Sequence, residues 1–66
     1  MGKFDYTTPM GEPCTATIEG IPDANGLGFY RVSTPEFDRV AYFDSDREIA
    51  QCFGVSVKVV RKALAS

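Results

Sequence analysis

Apolar and polar side chains alternate over much of the first two-thirds of the chain. Phe4 and Tyr6 are each flanked by polar residues, and the segment CTATIE alternates in the same way. A period of two residues is typical of a strand with one buried face. Two further apolar stretches, FYRVS and RVAYF, follow turn-forming segments, of which Asn25-Gly26 is the strongest turn signal. The pattern predicts a small antiparallel β-meander of three to four strands within residues 1–44.

The spacing of apolar residues becomes helical after residue 44. Ser45 suits a helix N-cap, and Glu48 three residues later completes a capping box. Gly54 is placed to end this helix, and Ser56 is placed to cap a second one. The positions expected to face inward are Ile49, Ala50, Cys52 and Phe53, then Val59, Val60, Ala63 and Leu64.

These elements predict an α+β fold with the sheet first and the helix pair last. Two helices this short are too small to stand alone, so their apolar faces must bury against the sheet. We expect one domain over residues 1–66, with the meander in 1–44 and the helix pair in 45–66. A chain of 66 residues buries a low fraction of its surface, so its stability is expected to be marginal.

The segment DREIAQCFGVSVKVVRKAL resembles the helix-turn-helix of bacterial and phage regulators, including the GntR type. The preceding YFDS resembles the strand that enters helix-turn-helix modules attached to homing nucleases. In this pattern Ala50 lets the helices approach closely and Gly54 makes the turn. Ser56 caps the second helix, and Val60 and Leu64 hold it against the first.

The resemblance implies that duplex DNA is a partner of the second helix. Arg61 would bond a guanine edge, while Lys58 and Lys62 would hold phosphates. The alternative is that these residues form only the solvated face of an amphipathic terminal helix. The residues that the resemblance places toward DNA are Ser56, Val57, Lys58, Arg61 and Lys62.

Charge argues against a general binder of polyanions. The chain has a formal net charge of −2 and a pI near 4.8, whereas proteins that hold phosphates usually carry a basic excess. Residues 45–66 have four basic and two acidic side chains, a net of +2. Residues 1–44 have three basic and seven acidic side chains, a net of −4. The predicted sheet is therefore acidic, and the helix pair is mildly basic.

In size, acidic charge and lack of catalytic groups, the chain is similar to small anti-CRISPR proteins of phages and mobile elements. This similarity is one of type and not of motif. It implies a stoichiometric inhibitor that acts as a DNA mimic on a host protein or ribonucleoprotein that binds nucleic acid, such as a CRISPR effector. We expect this function first and a DNA-binding regulator as the alternative. The predicted partner-binding carboxylates are Glu12, Glu19, Asp23, Glu36, Asp38 and Asp44.

Other functions lack the residues they need. The chain has no histidine and only two cysteines, Cys14 and Cys52, which are far apart. We therefore predict no metal site, no cofactor, no small-molecule substrate and no enzymatic activity. Both thiols are expected to be buried and free. No run of about 18 apolar residues exists, so no membrane partner is expected, and the cytoplasm of a bacterial host is the expected location.

Overall fold

A computed structural model describes residues 2–21 and 29–66 of the chain. The predicted α+β order is confirmed: a four-stranded antiparallel sheet precedes two C-terminal helices. The predicted Asn25-Gly26 turn and Asp23 lie outside the described residues. The elements are β1 (Gly2–Thr7), β2 (Pro13–Gly20), β3 (Tyr30–Ser33), β4 (Ala41–Phe43), α1 (Asp46–Phe53) and α2 (Val57–Ala65).

The sheet is a meander in which each strand pairs with the next along the chain. Its spatial order is β1-β2-β3-β4, and all three pairings are antiparallel. Gly11 closes the β1–β2 turn at a φ of 85°, a left-handed conformation that favours glycine. The amide of Thr8 there donates to the carbonyl of Glu12 at 2.8 Å. Because successive strands run in opposite directions, the β1–β2 turn and the loop between β3 and β4 lie at the same end of the sheet.

Alternation along the strands produces one covered and one open sheet face. Lys3 pairs with Thr17, and Glu19 pairs with Arg31, so their side chains share the open face. The covered face holds the apolar members of each strand, which are buried. They are Phe4, Tyr6, Ala16, Ile18, Val32 and Phe43.

The helix pair covers this apolar face. Helix α2 packs mainly on β1 and β2, whereas α1 lies nearer β4. The ring of Phe53 contacts both sheet halves, with ring centroids 4.8 Å from Tyr6 and 6.1 Å from Phe43. One cluster of buried residues thus joins the helices to the sheet, as the short helices require. The helical members of that cluster are Ile49, Ala50, Phe53, Val60 and Ala63.

Some details differ from the sequence prediction, including β3, which begins at Tyr30 and not at Phe29 as FYRVS predicted. Cys52 is exposed and the side chain of Val59 is 38% exposed, although both were expected to face inward. Each helix presents only a narrow stripe to the sheet, and these two positions lie beside that stripe. The fourth strand covers only Ala41–Phe43 of the predicted RVAYF, and Arg39 and Val40 belong to the preceding loop.

Candidate nucleic-acid interface

The turn between α1 and α2 is built from local signals in the sequence. The hydroxyl of Ser45 accepts a hydrogen bond from the amide of Glu48 at 3.1 Å, which caps α1. Gly54 then adopts a φ of 68° and ends that helix. The amide of Val55 donates to the carbonyl of Ala50 at 3.0 Å, and the Ser56 hydroxyl caps α2. These contacts fix where the second helix begins.

Helix α2 has one buried face and one exposed face. Val60 and Ala63 are buried against the sheet and α1, and Leu64 is half-buried beside them. Lys58 and Lys62 lie on the opposite face, Arg61 lies at its edge, and Ser56 is the N-cap of the helix. Of the residues that the helix-turn-helix resemblance places toward DNA, Val57 is half-buried and the others are exposed. The exposed residues are Ser56, Lys58, Arg61 and Lys62. A basic helix face anchored by its apolar side is therefore available to a partner.

Arg61 is joined to the first helix by an ion pair. Its Nε donates to Oδ2 of Asp46 at 2.8 Å. The Arg61 side chain is 60% exposed, whereas that of Asp46 is only 20% exposed. The hydrogen bond from Arg61 holds the pKa of the Asp46 carboxyl below its usual value, so Asp46 is ionised at neutral pH. Among the described residues, α2 makes no other ion pair.

A groove between β1 and α2 places one more lysine beside the basic face. Lys3 and Lys62 both line this groove, together with Asp5 and Val59. The Asp5 carboxylate accepts a hydrogen bond from the Thr15 hydroxyl at 2.8 Å. The groove therefore has two positive charges and one negative charge.

The predicted acidic residues do not form a single surface. Glu12 is exposed on the β1–β2 turn, and Glu36 and Asp38 are exposed on the β3–β4 loop at the same end of the sheet. Asp44 follows β4 and lies at the opposite end. Glu19 is on the open face, where it forms an ion pair with Arg31.

Two of these carboxylates already have partners within the chain. Glu36 accepts a hydrogen bond from the buried Tyr6 hydroxyl, and Glu19 is neutralised by Arg31. Among the described strand residues, the open face carries two basic and two acidic side chains, Lys3, Arg31, Asp5 and Glu19. It is therefore neutral, although the sequence of the sheet region is acidic.

The described residues hold no group of three or more Cys, Asp or Glu side chains placed to bind a metal ion. Cys14 and Cys52 are both free; Cys14 is half-buried, and the exposed Cys52 corrects the expectation that both thiols are buried. Neither helix in this part of the chain has the length and apolar character needed to cross a bilayer.

Comparison of the chain with family models, curated proteins and solved structures finds no match.

Sequence reasoning missed the role of Asp46. A carboxylate in the first turn of α1 suits the positive end of the helix dipole. The Asp46 carboxylate also holds Arg61, fifteen residues later. A helix-turn-helix brings the start of the first helix beside the second helix. The opposite charges of Asp46 and Arg61 were therefore a signal in the sequence from which this ion pair could have been predicted.

Proposed function

We propose that this protein binds duplex DNA through the exposed face of α2. The observation that supports the proposal is the division of this helix into an apolar face held by the core and a basic face open to solvent. An α-helix fits the major groove of B-DNA, where base edges are exposed. The turn at Gly54 and the capping by Ser56 set where this helix begins.

The residues on this face have different chemical roles. Lys58 and Lys62 are compact cations suited to phosphates, which position the protein without reading sequence. The guanidinium of Arg61 presents several N–H donors to a base edge. Few cations are available in all, so the affinity is weak and depends strongly on salt.

The net negative charge of the chain does not prevent this binding. Of the five partner-binding candidate carboxylates that the structure describes, none forms an ion pair with α2. Among the described residues, Asp46 forms an ion pair with this helix, and its charge is balanced by Arg61. The local charge that DNA meets at α2 is therefore set by the lysines.

The test is a salt titration of binding to a fluorescent duplex, measured by anisotropy. Each phosphate contact contributes about 0.9 to the slope of log K against log salt, so the variant K58Q/K62Q should lose about 1.8 units of slope. Arg39→Gln is the matched control, because Arg39 is exposed on the β3–β4 loop and makes no ion pair with the described residues. Absence of duplex binding, or an unchanged slope in K58Q/K62Q, refutes the proposal.

A second function rests on the loops at one end of the sheet. Glu12, Glu36 and Asp38 are exposed there together, which favours a DNA-mimicking inhibitor of a host nucleic-acid-binding complex such as a CRISPR effector. Spaced carboxylates on this end would occupy the Lys/Arg clusters that normally hold phosphates.

This function predicts that the protein lowers the DNA binding of a purified CRISPR effector complex. The charge reversals E12K/D38K should abolish the inhibition, because they place cations against a cationic site. Asp44→Lys is the control, since Asp44 lies at the opposite end of the sheet. Equal inhibition by E12K/D38K and the unmodified protein would contradict this mechanism, and K58Q/K62Q should leave inhibition intact.

A further inference from the structure

The ion pair between Asp46 and Arg61 uses one part of the guanidinium and leaves the rest free. Of the guanidinium nitrogens, only Nε donates to the Asp46 carboxylate, at 2.8 Å. A guanidinium has five N–H donors, of which four are on its terminal Nη atoms. Within residues 2–21 and 29–66, no acceptor bonds these four. The terminal edge of Arg61 is therefore available to a ligand while its stem is held.

The position of Arg61 makes that edge useful. It is exposed on α2, between Lys58 one turn before it and Lys62 directly after it. An unrestrained arginine on a helix surface samples many rotamers and loses that freedom on binding. The contact with Asp46 limits this freedom before any ligand arrives. The two terminal nitrogens of a fixed guanidinium match O6 and N7 of guanine in the major groove.

Asp46 also affects DNA binding through its charge, and this effect opposes the gain from holding Arg61. Its carboxylate is one-fifth exposed at the first position of α1 and carries a negative charge close to the proposed DNA-binding helix. A negative charge near the phosphate backbone weakens binding to DNA of any sequence. The two effects of Asp46 can therefore be separated by experiment.

We propose that Asp46 is a positioning residue for sequence recognition, which holds Arg61 so that its terminal nitrogens bond a guanine. The inference rests on the DNA-binding function proposed above. Removal of the Asp46 charge should lower base discrimination while it raises affinity for DNA of random sequence. A residue with a purely structural role would weaken both kinds of binding together.

The experiment is selection from a pool of short duplexes with a randomised centre, followed by affinity measurements on the selected and unselected pools. The unmodified protein should enrich a sequence with guanine at one position. Arg61→Lys keeps the charge but lacks the planar pair of donors, and it should lose that preference by on the order of tenfold. Asp46→Asn should lose the same preference at the same position and bind the unselected pool at least as tightly as the unmodified protein.

Asp44→Asn is the matched control. Asp44 is exposed, precedes the N-cap of α1 and makes no ion pair with the described residues. The substitution removes the same charge two residues away, so it should raise affinity for the unselected pool without changing the preferred base. Circular dichroism of each variant verifies that the helices are retained.

The outcomes separate this inference from the function on which it rests. If the unmodified protein binds no duplex, both proposals are wrong. If it enriches a guanine that depends on Arg61, and Asp46→Asn keeps that preference in full, DNA binding stands and the positioning role is refuted. Equal loss of preference in Asp44→Asn and Asp46→Asn would also refute it, because a general charge effect would then be sufficient.

Discussion

Gly2 of strand β1 lies against the backbone of Ala63 in helix α2. The residue is buried, and a Cβ atom at this position would overlap the carbonyl oxygen of Ala63 in the last turns of the helix. A methyl group there cannot fit unless the strand or the helix moves. At Gly20, at the end of β2, an added Cβ atom would have no neighbouring atom within 4 Å. The lack of a side chain at Gly2 thus lets the helix lie against the sheet.

Gly2→Ala should therefore destabilise the protein by about 1–3 kcal/mol, the usual cost of overpacking. For a domain of this size each kcal/mol lowers Tm by about 4–8 °C. Gly20→Ala is the control and should change the free energy of unfolding by no more than about 0.5 kcal/mol. Thermal and urea unfolding followed by circular dichroism measure both. Equal stability of the two variants would show that β1 and α2 separate at no cost.

Single residues on the helices show how far a periodic pattern predicts burial. Ile49, Val60 and Ala63 are buried as their spacing predicted, whereas Cys52 and Val59 are not. Helical spacing indicates which side of a helix is apolar but not how wide the contact is. That width depends on the curvature and separation of the opposing sheet, which no local pattern contains.

Strand β1 is connected to the β3–β4 loop by one buried phenol. The Tyr6 hydroxyl lies 2.7 Å from Oγ1 of the buried Thr34 and donates to the carboxylate of Glu36. The ring of Phe37 also lies against Phe53, with centroids 5.8 Å apart. Burial, together with the neighbouring Cys14 and Glu36 side chains, raises the pKa of Tyr6 above its usual value. These contacts hold the loop, and with it Glu36, against the core.

Tyr6→Phe should lower the free energy of unfolding by about 1 kcal/mol, because the Thr34 and Glu36 side chains lose a partner. Tyr42→Phe is the control, since Tyr42 is 43% exposed on the open face. Because the pKa of Tyr6 is raised in the folded protein, the Tyr6 hydroxyl loses its proton at a lower pH in the unfolded state than in the folded state. Tyr6 therefore lowers the free energy of unfolding as pH rises above about 10, the pKa of an unperturbed tyrosine. Tyr6→Phe should remove that part of the alkaline loss. Melting curves across this pH range provide the measurement, and identical curves for both variants would contradict the role of Tyr6.

Whole elements were predictable where their signals are local. Ser45, Gly54 and Ser56 act within a few residues of themselves, and each caps or ends a helix where the sequence indicated. The reciprocal contact of the capping box, from the Glu48 side chain back to Ser45, is not among the hydrogen bonds of the described residues. The packing of α2 on β1 and β2 depends on contacts between residues far apart in the sequence. The sequence predicted that the helices pack on the sheet, but not on which strands.

At the scale of the whole molecule, the arrangement of charge matters more than its total. The regional counts gave an acidic sheet region and a basic helix pair. In the described strands the open sheet face has no net charge, because Lys3 and Arg31 balance Asp5 and Glu19. Of the other predicted partner-binding carboxylates that the structure describes, three lie at one end of the sheet and Asp44 at the other. The inhibitor hypothesis therefore depends on one end of the sheet and not on a face.

The α+β order, the antiparallel meander, the helix caps and the basic character of the second helix could all be predicted from the residues and their spacing. Each of these depends on residue type and on spacing over a few positions, which backbone geometry converts directly into structure. The tertiary structure decided which charges are paired and which face of each element is free. Asp46 meets Arg61, and Tyr6 meets Glu36, only after the chain has folded back on itself. Pairing across such distances follows from packing, so no local pattern contains it.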